Sequence, residues 1–264
     1  KVSENGCLFG VVKTAHKSKL GNVQKMSYQM VNSLDLNIME NATELSKEYI
    51  ESLKSDNNVF IKYLKDNSNF SNDHEVLVAL CEQNWEFTRS KYFRERKWVI
   101  IQSYINNFRI GKVIQNADNL VIVGSPYAML LYSIGKDVEE DNTFKQEQGT
   151  IQCFTTRFEN DEYLASFRNP FNSRNNMGYL HNISNNNLIK YFDFSDEIIA
   201  INMIGTDFQD RNNSSDQDSD SIYTTNQVDI VNYAKHCYLN YPTIVNNIPQ
   251  EKKTYDKIKK KKEM

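Results

Sequence analysis

Between positions 22 and 66 the apolar residues recur at helical spacing, with Met26, Met30, Val31 and Leu34 followed by Leu45, Tyr49, Ile50 and Leu53. Such a stripe is the buried face of a helix packed on a core. No proline interrupts the chain before Pro126, so nothing forbids helix throughout this part. A polar gap from Asp66 to Asp73 precedes a second helical run, whose apolar members include Val76, Leu77, Leu80, Phe87, Ile100, Ile101, Tyr104, Ile105 and Phe108. Gly111 stands where that run has to stop, in the position that favours a residue tolerant of left-handed backbone. Beyond it the texture becomes short β-prone runs at 120–123, 150–158, 163–167 and 197–204, punctuated by Gly, Pro and Asn. Strands separated by long connections predict a barrel or a sandwich. Helical spacing returns at 228–241 until Pro242 and Pro249 break it, while the asparagines at 175–176 and 185–187 read as loops. The expected class is α+β: a mainly helical region over 1–109, a β-rich region over 110–228, and a helix with a basic tail over 229–264.

Composition narrows the functions open to such a chain. Its 264 residues are 39% hydrophobic, enough for an ordinary core. Lys and Arg number 31 against 34 Asp and Glu, a formal net charge of -3, so any attraction to a polyanion has to be local. No apolar run reaches the roughly 18 residues that span a bilayer, and the first residues lack the order of a signal peptide, which leads us to expect a soluble, cytoplasmic protein. Cys7, Cys81, Cys153 and Cys237 form no CxxC pair, and His16, His74, His181 and His236 are equally dispersed. Zinc and disulfide scaffolds therefore have no basis in the sequence.

One stretch carries chemistry. Asn212, Asn213, Ser214 and Ser215 lead into Asp216, Gln217, Asp218, Ser219 and Asp220, and a β-prone run from Ser221 to Thr225 follows. Three alternating aspartates crowd negative charge into one loop, an arrangement suited to a small hard cation with oxygen ligands, above all Mg2+. Composition alone is equally compatible with a solvated acidic turn. An EF-hand loop is a poor fit, because Ser221 occupies the glycine position and Gln227 the place of the bidentate glutamate.

At these residues the chain resembles the two-barrel RNA polymerase superfamily. The loop is similar to the N-A-D-F-D-G-D signature of the β′ subunit of cellular RNA polymerases, to the D-x-D-G-D loop of RNA-silencing RNA-dependent RNA polymerases, and to single-chain relatives in phages and mobile elements. Asp216, Asp218 and Asp220 fall on its aspartates, and Ser219 replaces its glycine. Upstream, Arg168, Asn169 and Pro170 match the R-N-P of the silencing polymerases, and Arg174 falls on a second arginine of the β′ motif. The likeness covers roughly residues 110–245. It implies a double-psi β-barrel with the metal loop at one end, Mg2+ (or Mn2+) held by the three aspartates, and Arg168 facing a nucleotide sugar, with Asn169, Pro170 and Arg174 beside it. The implied partners are nucleoside triphosphates, a nucleic-acid template and nascent RNA. A second, β-like barrel with catalytic lysines has no counterpart here, so the resemblance places it in sequence outside this chain or in another chain.

The implied reaction is nucleotidyl transfer, in which a 3′-hydroxyl attacks an α-phosphate with divalent cations assisting. Two other readings remain open at this stage. Residues 218–223, D-S-D-S-I-Y, resemble the D-T-D-S motif of family B DNA polymerases, with Lys25, Asn32 and Ser33 as upstream partners. Alternatively the barrel binds nucleic acid without catalysis. The basic and aromatic residues of 89–98 (Arg89, Lys91, Tyr92, Phe93, Arg94, Arg96, Lys97 and Trp98) suit either a strand-binding surface or a solvated helix face. Lys13, His16, Lys17 and Lys19 likewise suit a strand contact or a basic loop.

Overall fold

The computed structural model describes residues 17–245. In chain order, β1 (Val23–Lys25), α1 (Tyr28–Asn32), α2 (Met39–Ser55), α3 (Asn57–Asp66), α4 (His74–Gln83) and α5 (Lys91–Arg109) lead into β2 (Ile114–Val123). Then come α6 (Pro126–Ser133), β3 (Ile151–Phe154), β4 (Tyr163–Phe167), β5 (Gly178–Asn182), α7 (Asn186–Tyr191), β6 (Ile198–Ile201), α8 (Phe208–Arg211), β7 (Ser221–Thr225) and α9 (Val228–Asn240). Cys7, Lys13, His16, Pro249 and the basic tail lie outside the described residues.

Six strands close a ring in the order β2, β6, β3, β5, β4, β7 and back to β2. The β2–β6 and β3–β5 pairs are parallel and the others antiparallel, so the barrel is mixed and needs crossovers, not hairpins alone. Alternate residues point inward: Leu120 and Ile122 on β2, Ile151 and Cys153 on β3, Leu164 on β4, Leu180 on β5, Ile199 and Ile201 on β6, and Ile222 on β7 form one buried cluster. Each fully buried aliphatic side chain of this kind contributes about 1.5–3 kcal/mol. Closure also removes the unpaired edges that an open sheet would offer to other chains.

The outer face of β4, β5 and β7 supplies a second core. Ala165, Phe167, Tyr179 and Tyr223 pack with Met26 and Met30 from the region of α1 and with Ile230, Ala234 and Cys237 of α9. The helical layer has its own core of Leu53, Phe60, Leu64, Leu77, Phe93 and Tyr104, where Phe60 and Phe93 meet edge to face at 5.8 Å. No helix among the described residues is long and apolar enough to cross a membrane.

The helical expectation for the first part needs two corrections. Val23–Lys25 is a strand paired antiparallel with Ile114–Asn116, so helix does not begin at 22. The run from 76 to 108 is two α-helices, not one. Asn84 accepts from the Glu86 amide and Ser90 from the Phe93 amide, so each caps a new start within an unbroken apolar pattern. The loop expectation at 185–187 is also revised, because Asn185 accepts from the amides of Asn187 and Leu188 and starts α7. Residues 175–176 lie in a single 3-10 turn.

Gly111 does end α5. Its φ is +97°, its amide donates to the Phe108 carbonyl at 2.9 Å, and a β-carbon there would stand 3.0 Å from the Tyr28 Cα. Left-handed backbone and close approach together require glycine at this joint between α5 and α1. We predict that Gly111→Ala costs about 1–2 kcal/mol and lowers the melting temperature by roughly 2–8 °C in a thermal melt.

On β5, His181 is held between carboxylates. Its Nδ1 lies 2.8 Å from Glu147 and its Nε2 2.8 Å from Asp161, while its ring stacks on Tyr163 at 4.5 Å. Burial alone would lower the His181 pKa, but hydrogen bonds to Glu147 and Asp161 outweigh it and raise the value above 6.5. Burial would raise the Glu147 pKa, and the His181 contact holds it below 4.5. The histidine's contribution is therefore complete below pH 6.5 and lost as pH rises through its raised pKa. That of Glu147 is complete above pH 4.5 and lost as pH falls through its lowered one. In denaturant titrations, the stability difference between the wild type and His181→Gln should peak between pH 4.5 and 6.5 and shrink on the alkaline side.

Candidate metal centre

The acidic loop runs from the end of α8 to the start of β7, and its path is fixed from both sides. Arg211 is 3% exposed and lies at the loop's entrance. It bonds the Asp207 carboxylate at 3.1 Å, the carbonyls of Asn175 and Tyr241, and the face of Tyr238 at 4.5 Å. Asn176 then donates to the Arg211 carbonyl at 2.9 Å and to the Asn213 side chain at 3.1 Å. Asn213 and Ser214 adopt φ of +56° and +51°, and Ser219 adopts +92°, so the chain reverses sharply before the aspartates and again between the last two.

Arg168 follows β4 directly and spans the loop. Its Nη1 donates to the carbonyls of Asn212 and Asn213 at 3.2 and 3.1 Å, and its Nη2 donates to Asp220 Oδ2 at 2.5 Å. One planar guanidinium thus joins the first residues of the loop to its last carboxylate, a geometry a lysine would not reproduce. The same Asp220 oxygen accepts the Asp216 amide at 3.0 Å. Asp218 donates its amide to Asp216 Oδ1 at 3.4 Å.

The consequence is a convergence of all three predicted ligands. Asp216, Asp218 and Asp220 each bring a carboxylate oxygen to within 4.8 Å of the others. A hydrogen bond to Asp216, and the negative charges of Asp216 and Asp220, raise the Asp218 pKa above its ordinary value. Burial pushes Asp220 upward, but Arg168 and the Asp216 amide overcome it and hold the pKa low. Three carboxylate groups, two of them exposed, thus offer the kind of oxygen set that can hold a hard divalent cation.

The remaining predicted residues divide. Asn169 turns toward the start of α1, where Ser27 Oγ donates to its side-chain oxygen at 3.1 Å. Pro170 supports the loop through its carbonyl, which accepts from the Asn213 side chain. Arg174 is not brought to the aspartates. It donates to Asp35 at 3.0 Å and to the Tyr241 hydroxyl at 3.2 Å, with its guanidinium over the Tyr233 and Tyr241 rings. Lys25, Asn32 and Ser33, the partners wanted by the family B reading, share no helix: Lys25 ends β1, Asn32 ends α1 and Ser33 caps it.

Asn176, Arg211 and Gln217 were missed by the sequence reading. Asn176 sat in a stretch read only as loop, and its position before β5 is what lets it reach Arg211 and Asn213. Gln217, between the first two aspartates, borders a cavity of about 920 Å³ with Val123, Gly124, Phe144 and Met203.

Neither a family model nor a curated protein sequence matches the chain. Among solved structures it is similar to the RNA dependent RNA polymerase QDE-1 from Thielavia terrestris, with a TM-score of 0.55 and 14% sequence identity. The match covers 83% of this chain and 25% of that one, so the chain spans about a quarter of the length of the protein it resembles. At this identity the likeness is one of fold. Together with the closed six-strand ring, it shows a double-psi barrel fold of the RNA polymerase type.

Ser219 occupies the residue where the loop turns through left-handed backbone, a conformation that costs a side chain roughly 1–2 kcal/mol. Glycine would adopt it without strain. Ser219→Gly should stabilise the protein by about 0.5–1 kcal/mol in denaturant titration, and leave the Mn2+ affinity of the loop within about threefold.

Proposed function

We propose that this chain carries the metal-holding barrel of an RNA polymerase-like nucleotidyltransferase. The observation that carries the reading is the convergence of Asp216, Asp218 and Asp220 at one end of the barrel, braced by Arg168. Their donor set fits Mg2+, with Mn2+ as a substitute, because only carboxylate oxygens are presented and the crowding that raises the Asp218 pKa is relieved by a cation. Such a cation, held by the three aspartates, would increase the acidity of an attacking 3′-hydroxyl, and a second, shared by them, would stabilise the leaving pyrophosphate.

What the chain's own residues do is set by their bonds. Arg168 keeps Asp220 ionised and in place, and holds the loop entrance against it. Asp216 and Asp218 keep their oxygens open to solvent. Asn213, Asn176 and Pro170 hold the turn that aims them. In this reading the substrates are nucleoside triphosphates and a nucleic-acid strand, and the second barrel, with its basic catalytic groups, comes from sequence outside this chain or from another chain. The fold likeness favours this assignment over the family B one, whose upstream residues are dispersed here.

Manganese titration followed by electron paramagnetic resonance tests the centre directly. Asp218→Asn should weaken Mn2+ binding by more than the roughly 10–100-fold that loss of an outer partner costs, and Arg168→Lys should fall within that range. In the full-length gene product, Mg2+-dependent nucleotide incorporation should be lost in Asp218→Asn. Undiminished incorporation in that variant would sink the metal assignment.

A further inference from the structure

A cavity separate from the acidic loop borders the start of β7. It has a volume of about 410 Å³ and opens between the helical layer and the outer face of the β2–β7 pair, lined by Lys17, Lys19, Lys25, Tyr49, Tyr63 and Tyr104. This is the volume range of small-ligand pockets, roughly 300–1,000 Å³, and it is larger than a single inorganic ion needs.

The lining is rich in donors. Lys25 holds its ammonium 5.6 Å over the Tyr104 ring and has no carboxylate partner among the described residues. Among the described residues Lys19 donates only to a backbone carbonyl, that of Asp66, at 3.2 Å, while Lys17 is paired with Asp196 at 2.9 Å. Asp66 is the one carboxylate among the described residues of the wall, against three ammonium groups. Tyr104 is 6% exposed, and its hydroxyl is buried with no hydrogen-bond partner among the described residues. Tyr49 and Tyr63 each meet its ring edge-on at 5.7 Å, so three phenols cluster beside the lysines. A buried phenol is ordinarily satisfied, and an unpaired one beside an unpaired ammonium calls for an acceptor-rich anion.

The position of the cavity selects among anions. Its wall includes Ser221, the residue after Asp220, so it begins one residue from the metal loop along β7. We propose that this cavity binds the phosphate backbone of a single nucleic-acid strand, with Lys25 and Lys19 neutralising phosphates and the Tyr104 hydroxyl donating to a phosphate oxygen. That the strand continues to the aspartates rests on the metal-centre reading above, whereas its binding in the cavity does not.

The test is fluorescence anisotropy of the whole chain with a labelled single-stranded oligonucleotide of about ten nucleotides, in EDTA, over a range of salt concentrations. Lys25→Gln should weaken binding and reduce the slope of log K against log[salt] by about 0.7, the value for one phosphate on a single strand. Tyr104→Phe should weaken binding several-fold with the slope unchanged and the melting temperature not lowered; a merely structural hydroxyl would lower the melt and leave binding alone. Wild-type affinity and slope in both Lys25→Gln and Tyr104→Phe would overturn the proposal. So would Lys25-dependent binding of ATP without binding of the strand, which would make the ligand a free nucleotide. Lys25-dependent strand binding by a protein whose aspartates hold no Mn2+ would keep this inference and remove the polymerase reading.

Discussion

The three-way grip of Arg168 is the interaction on which the site depends. Three aspartates within five residues repel one another, and left alone their loop would splay into water. A single guanidinium ties the carbonyls of Asn212 and Asn213 to the carboxylate of Asp220, so the loop is closed at its base before any cation is considered. Because the pair is largely buried, with side-chain exposures of 19% and 22%, solvent screens it less than a surface ion pair. The grip also differentiates the carboxylates. Asp220 is held ionised by a fixed positive charge, whereas Asp218 faces mainly its acidic neighbour and is pushed the other way.

That grip exists because of strand registry. Arg168 and Asp220 are 52 residues apart in sequence, yet each sits at the edge of an adjacent strand. In the antiparallel β4–β7 ladder Phe167 lies opposite Tyr223, which brings the residue after Phe167 level with Ile222, two residues from Asp220. A shift of one residue would turn Phe167 and Tyr223 away from the core they share with α9 and α1, so burial of these aromatic rings enforces the registry that aims the arginine. The barrel interior and the outer core thus act on the site through one hydrogen-bonded pair of strands.

Much of this was legible in the sequence, for local reasons. The alternation of three aspartates and the neighbouring R-N-P are short-range patterns, and inward-facing Leu120, Ile122, Ile199 and Ile201 have the periodicity that strands require. What escaped was decided at longer range. Val23–Lys25 is only three residues long and is a strand because β2 offers it an edge. β5, with the sequence G-Y-L-H-N, carries little apolar alternation, and its Gly178 packs closely on the Ser166 hydroxyl across the ladder. The caps at Asn84 and Ser90 interrupt helices without interrupting apolar spacing. Arg174 shares the spacing of a family motif, but Asp35 and two tyrosines compete for its guanidinium, and no local pattern reveals that competition.

The net charge of -3 is unevenly distributed around β7. The end of β7 leads from Asp216, Asp218 and Asp220, while its outer face borders Lys17, Lys19 and Lys25. On the two proposals above, a cation gathered by the first group and phosphates gathered by the second would be neighbours, not competitors, because the loop ends one residue before the strand that borders the cavity.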